Sequence, residues 1–110
     1  MHDHIPEADW ITVRDISRLA LDRLCQRVLD EITAIANDPD KGAHAKYGEI
    51  YRLIQDRDKI IADAFDDLKR SNALFKIATM KRLGVISNDE LARFSQDTLD
   101  RVAKVVWLDS

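Results

Sequence analysis

Arg57 is the residue whose position most needs a chemical explanation, because it lies within an apolar helical stripe between Ile54 and Ile61. A guanidinium in such a stripe needs a partner of opposite charge. The candidates are the neighbouring aspartates, Glu31 on the preceding helix, or the same groups of a second subunit. We interpret Arg57 as a paired arginine that sets the register of a helical interface, and Asn72 on the same stripe similarly. A bound ligand anion and exposure to solvent are the alternatives for Arg57.

Three carboxylates, Asp63, Asp66 and Asp67, cluster on the helix face away from this stripe. Paired carboxylates can act as acid and base or bind a metal, but no histidine or cysteine stands at a helical spacing that would complete such a site. We therefore interpret the cluster as a solvated face, in which Asp66 and Arg70 form an ordinary pair one helical turn apart.

A loop with Asp38, Asp40 and Glu49 matches positions 1, 3 and 12 of a calcium-binding helix-loop-helix. The match fails inside the loop, because position 5 is Gly42 and position 6 is Ala43 where a glycine is required. The histidines are not paired at a helical spacing either; they are His2, His4 and His44. The sequence predicts no metal site and no cofactor.

No catalytic template is present, since we find no glycine-rich phosphate loop, no nucleophile elbow and no cysteine with an evident base. The segment 68–88 is basic, but its cations scatter around the helix and stand near its C-terminus, where the helix dipole favours positive charge. These cations are Lys69, Arg70, Lys76, Lys81 and Arg82. We expect a non-enzymatic protein, with a helical enzyme or anion binder around Arg57 and a nucleic-acid regulator using residues 69–82 as alternatives.

Composition narrows the class of protein further. With 110 residues and a net charge of −3, the chain has room for one domain and does not attract nucleic acid or anionic lipid as a whole. Cys25 is the single cysteine and lies among leucines and valines, which favours a reducing, cytoplasmic setting. We see no signal segment and no run long enough to cross a membrane.

Apolar periodicity predicts an all-α domain at residues 10–110, preceded by a flexible arm at residues 1–9. Its four helices are predicted at about residues 12–36, 45–83, 88–94 and 96–107. The first two form an antiparallel hairpin whose second helix is a very long rod, on the order of 55 Å. The two short helices then close the far end of the rod.

Local signals mark where these helices begin and end. Thr12 is a predicted N-cap for the first helix, and Gly84 is the predicted stop of the second. Ser87 with Glu90 forms a capping box, and Ser95 caps the last helix. These signals depend only on neighbouring residues, so they predict helix boundaries without any long-range contact.

Both long helices carry more apolar surface than one neighbour can cover, which predicts a homodimer with a four-helix-bundle core. We expect a small adaptor or regulator that presents a helical surface to itself or to another protein, with no membrane partner and with nucleic acid only as the lesser alternative. The predicted interface comprises Leu21, Leu24, Val28, Ile32, Ile54, Arg57, Ile61, Phe65, Leu68, Asn72 and Phe75.

Overall fold

The computed structural model describes residues 5–105, and every regular element in this range is helical. The elements are α1 (Glu7–Ala36), α2 (Ala43–Phe65), a 3₁₀ turn (Arg70–Asn72), α3 (Ala73–Arg82), α4 (Asn88–Leu91) and α5 (Gln96–Ala103). The predicted all-α class is therefore confirmed for the described residues. The end of the predicted last helix, including Trp107, lies outside the described residues.

The molecule is elongated, with extents of 55 × 27 × 22 Å. α2 runs back along the C-terminal part of α1, α3 packs against both, and α5 packs against α3. The core lies where these elements meet, and its largest fully buried side chains are Ile5, Val13, Ile16, Ile77, Met80, Val85 and Thr98. One end of the molecule is consequently a packed bundle, and the other end is a two-helix arm.

The predicted continuous helix at 45–83 is wrong, because the chain leaves the helix after Phe65 and begins α3 at Ala73. Asp67 has a φ of 59°, in the left-handed region that aspartate tolerates better than most residues. Asn72 stabilises this break by accepting a hydrogen bond from the Lys69 N–H at 2.8 Å and donating to the Asp67 carbonyl at 2.8 Å. Asn72 thus stabilises a turn instead of setting the register of an interface.

α1 is the longest helix, with 30 residues against 23 in α2, so the hairpin does not have the predicted very long second arm. It begins at Glu7, five residues before the predicted N-cap Thr12, whose hydroxyl instead donates to the Ala8 carbonyl within the helix at 3.0 Å. Within the described part of the predicted arm, Ile5 and Asp9 are buried, and residues 7–9 belong to α1.

The predicted start and stop signals in the C-terminal half are confirmed. Ser87 and Glu90 form the capping box of α4, and Ser95 accepts from the Thr98 N–H at the start of α5. Gly84 has a φ of 73° after the end of α3, and its N–H donates to the Lys81 carbonyl. Together with a bond from the next residue back to Met80, this is a Schellman motif, in which glycine meets the positive φ at little cost.

Two arginines of α1 bind the carbonyl groups at the end of α3. Arg27 donates to the carbonyls of Leu83 and Gly84 at 2.6 and 2.7 Å. Arg23 donates to the carbonyl of Val85 at 2.9 Å. Guanidinium groups satisfy carbonyls that the helix leaves without partners, and their charge complements the negative end of the helix dipole. The side of α1 that carries these arginines therefore faces α3 and the turn after it.

Arg23 also holds Glu90 of α4 through two hydrogen bonds of 2.6 and 2.8 Å. The Arg23 guanidinium and the Ser87 N–H lower the pKa of the Glu90 carboxyl from 4.5 to about 2. Because the pKa is lower in the folded state, the charged carboxylate stabilises the fold above pH 4.5, and this contribution is lost as the pH falls towards about 2.

Glu90→Gln is accordingly expected to lower the free energy of unfolding by about 1–2 kcal/mol near neutral pH. The difference from wild type should shrink as the pH is lowered through the same window, as measured by urea denaturation at a series of pH values. Asp89→Asn is the matched control, since Asp89 is exposed on the same short helix. A difference for Glu90→Gln that stays constant down to about pH 2 would contradict the assigned ion pair.

Candidate functional site

Arg57 pairs with Glu31, one of the partners proposed from the sequence. Its Nε donates to Glu31 Oε1 at 3.1 Å and its Nη2 to Oε2 at 2.8 Å, which is a two-pronged contact between α2 and α1. The guanidinium lowers the pKa of Glu31, and the carboxylate raises that of Arg57. Since an internal carboxylate holds the guanidinium, this contact favours the structural role over a ligand anchor.

The structure divides the apolar residues of the predicted interface into three groups by their exposure. Leu24 and Val28 are buried by the chain itself, so they do not belong to an available surface. Ile54 and Phe75 remain exposed. The remaining apolar members are half-buried, and they are Leu21, Ile32, Ile61, Phe65 and Leu68. The predicted interface is therefore not one continuous face of the folded chain.

The arm formed by the C-terminal part of α1 and most of α2 lacks a core of its own. No residue from 29 to 63 is buried, although the arm carries isoleucines, leucines and tyrosines. Two helices lying side by side cover only the line along which they touch, so apolar side chains on either side of that line stay in contact with water. The surplus of apolar surface predicted from the sequence is located here.

Four of the large apolar residues on this arm are strongly exposed: Leu29 at 54%, Tyr47 at 70%, Tyr51 at 57% and Ile54 at 48%. Tyr47, Tyr51 and Ile54 follow one another at i, i+4 and i+7, so they form one stripe along α2. A stripe of this kind is the surface that a partner helix fits.

The α2 stripe points away from α3. Asp63 lines a cleft together with Thr79 and Leu83 of the α3 segment, so its side of α2 faces α3. Ile54 precedes Asp63 by nine residues, which places it about 180° around the helix. The stripe therefore lies on the side of the arm opposite α3.

Leu29 lies on the same side of the arm as the α2 stripe. Arg27 of α1 faces the end of α3, and Leu29 follows it by two residues, or about 200° around the helix. Ile32 comes nearly one turn later and is half-buried beside α2. We call the surface formed by Leu29, Ile32, Tyr47, Tyr51 and Ile54 the open face.

The two tyrosines of the open face were not among the residues selected from the sequence. Their signal was present, because Tyr47 and Tyr51 precede Ile54 at helical spacing. They were missed because the sequence argument centred the stripe of α2 on Arg57, the side that the structure shows turned towards α1. Once α1 occupies that side, the adjacent apolar side becomes the available surface.

The other candidate groups have internal partners or do not assemble. Lys41 of the interhelical loop pairs with Glu49 and lies 3.8 Å from Asp38, where the failed calcium match falls. Lys76 of the basic segment is buried, and its Nζ donates to the Asp63 carbonyl at 2.6 Å. Among residues 5–105, no group of three or more potential metal ligands is placed to hold an ion.

A cleft of about 480 Å³ lies between α2 and the α3 segment. It is lined by Lys59, Ile60, Asp63, Thr79, Arg82 and Leu83. Arg57 does not line this cleft.

Comparison of the chain with family models, with curated proteins and with solved structures finds no match. None of the helices within residues 5–105 combines the length and apolar character needed to span a membrane.

Proposed function

We propose that this protein is a non-enzymatic helical interaction module, a small adaptor or regulator that acts as a homodimer. The open face carries this proposal, because large apolar side chains on two adjacent helices face solvent together. Exposed apolar patches on a folded chain mark sites of protein association when they are large and contiguous.

The arrangement of polar groups supports the same conclusion. The Arg57–Glu31 and Arg23–Glu90 pairs join elements of the chain to one another. Asp9 is engaged by Ser95 and Thr98 across the packed end of the molecule. These groups hold the fold, and the open face of the arm presents large apolar side chains on two helices, a surface suited to binding protein.

A cytoplasmic location forms part of the proposal. The single cysteine, Cys25, is half-buried and unpaired within the chain, as expected of a small apolar residue in a reducing compartment. The partner is a protein, and in the first instance a second copy of the chain.

Measurement of molar mass in solution tests this function. Size-exclusion chromatography with light scattering is expected to give about 25 kDa at micromolar concentration, twice the 12.6 kDa of one chain. The mass should fall towards that of one chain on dilution, because association depends on concentration. A mass of one chain across the accessible range of concentrations would contradict the homodimer.

A further inference from the structure

We infer that the open face is the surface through which two copies of this chain associate, each hairpin arm covering the other. This inference rests on the proposed function and specifies its surface and its partner. Leu29 and Ile54 belong to the face on α1 and α2 respectively, and Tyr47 and Tyr51 extend it towards the tip of the hairpin. The structure excludes Leu24 and Val28 from the contact because the chain itself buries them.

The side of the arm that carries the open face has the size that a stable dimer needs. α2 has 23 residues and is therefore roughly 35 Å long. Two helices side by side are about 20 Å wide, so one whole side of the arm presents about 700 Å² on each copy. Two such sides together would bury about 1,400 Å², within the standard range for specific protein interfaces.

A second hairpin arm is the partner whose length and shape fit this face. The arm needs cover along its whole length, since none of its residues from 29 to 63 is buried. An identical arm has the same length and the same apolar surface, and pairing the two arms produces a four-helix bundle in which each helix of the arm gains a further neighbour.

The composition of the face agrees with a buried interface centre. The five residues that define it are uncharged, and two of them are tyrosines, a residue type enriched in interface centres, while the exposed Asp58 follows Ile54 by one turn on the same stripe. The ion pair between Arg57 and Glu31 lies on the line between α1 and α2 and is complete without a second copy. Association therefore does not require this pair to be broken.

The test is to place a carboxylate in the open face and, in a control, at an equally exposed site elsewhere. Leu29→Glu and Ile54→Glu should each weaken dimerisation about 100-fold or more, because each copy would bury a carboxylate without a partner. Leu19→Glu is the control, since Leu19 is 50% exposed on α1, about 80° around the helix from Leu29 and about 15 Å along it.

Sedimentation velocity over a range of concentrations measures the association constant, and circular dichroism verifies that each variant is folded. A wild-type dimer, two monomeric open-face variants and a dimeric Leu19→Glu variant would support the inference. A dimer that withstands both open-face substitutions, or one that Leu19→Glu disrupts equally, would overturn the inference while leaving the homodimer intact. A monomeric wild type would overturn the homodimer itself and leave the face to a partner of different sequence.

Discussion

Replacing Asp9 with alanine is expected to lower the free energy of unfolding by about 3 kcal/mol. Asp9 is only 3% exposed, and its carboxylate accepts hydrogen bonds from the Ser95 N–H at 2.9 Å, the Ser95 hydroxyl at 2.6 Å and the Thr98 hydroxyl at 2.5 Å. Burial acts to raise the pKa of Asp9, but these hydrogen bonds outweigh it and keep the pKa below 3.8. The substitution would remove the acceptor of a fully buried hydroxyl and detach the start of α5 from α1.

Urea denaturation measures this loss, and two further variants make it interpretable. Asp9→Asn keeps an acceptor oxygen and the side-chain volume, so it should cost less than alanine. Asp22→Ala removes an exposed carboxylate from the same helix and should change the stability by less than about 0.5 kcal/mol. Equal effects of Asp9→Ala and Asp22→Ala would show that the contact with α5 contributes nothing to stability.

Replacing Ile77 with alanine is expected to cost about 2–5 kcal/mol of unfolding free energy. Ile77 is completely buried in the core cluster, in which Val13 and Ile16 of α1 meet Met80 of α3. Removing its outer carbons leaves a cavity that the surrounding helices fill only in part. Because the unfolding free energy of a small domain is only about 5–15 kcal/mol, a loss of this size is a large fraction of the total.

The midpoint and slope of a denaturation curve measure the effect of Ile77→Ala. Ile11→Ala deletes the same atoms at a site that is 50% exposed, and we expect it to cost less than about 1 kcal/mol. Similar losses for the two variants would contradict the position of α3 at the centre of the packed end. A dimer that persists in Ile77→Ala would show in addition that the packed end and the arm contribute separately.

The contacts within a few residues of each other were predictable from the sequence. The capping box of Ser87 with Glu90 and the cap at Ser95 join groups three residues apart, and Gly84 adopts its positive φ beside the helix that it ends. In each case the residue type has a conformational preference that does not depend on the rest of the fold.

The break between α2 and α3 was not predictable from the same kind of signal. Residues 66–72 contain no glycine or proline, and their apolar neighbours continue a helical period. The turn exists because folding α3 back onto α1 and α2 buries Ile77 and Met80, which a straight rod would leave uncovered. The helix propensities of residues 66–72 contribute less free energy than the burial of these two side chains.

The sequence by itself determined that the chain is helical over the described residues. It also determined that α3 ends at Gly84, that Ser87 and Ser95 cap α4 and α5, and that the helices carry more apolar surface than one neighbour covers. Only the tertiary structure decided where α1 begins, because Asp9 finds Ser95 from 86 residues away. The tertiary structure also decided which apolar surface stays exposed. α1 covers the side of α2 that carries Arg57, α3 faces the side that carries Asp63, and the side that carries Tyr51 is left to solvent. Periodicity describes a helix alone, whereas exposure depends on which neighbours the whole chain brings to it.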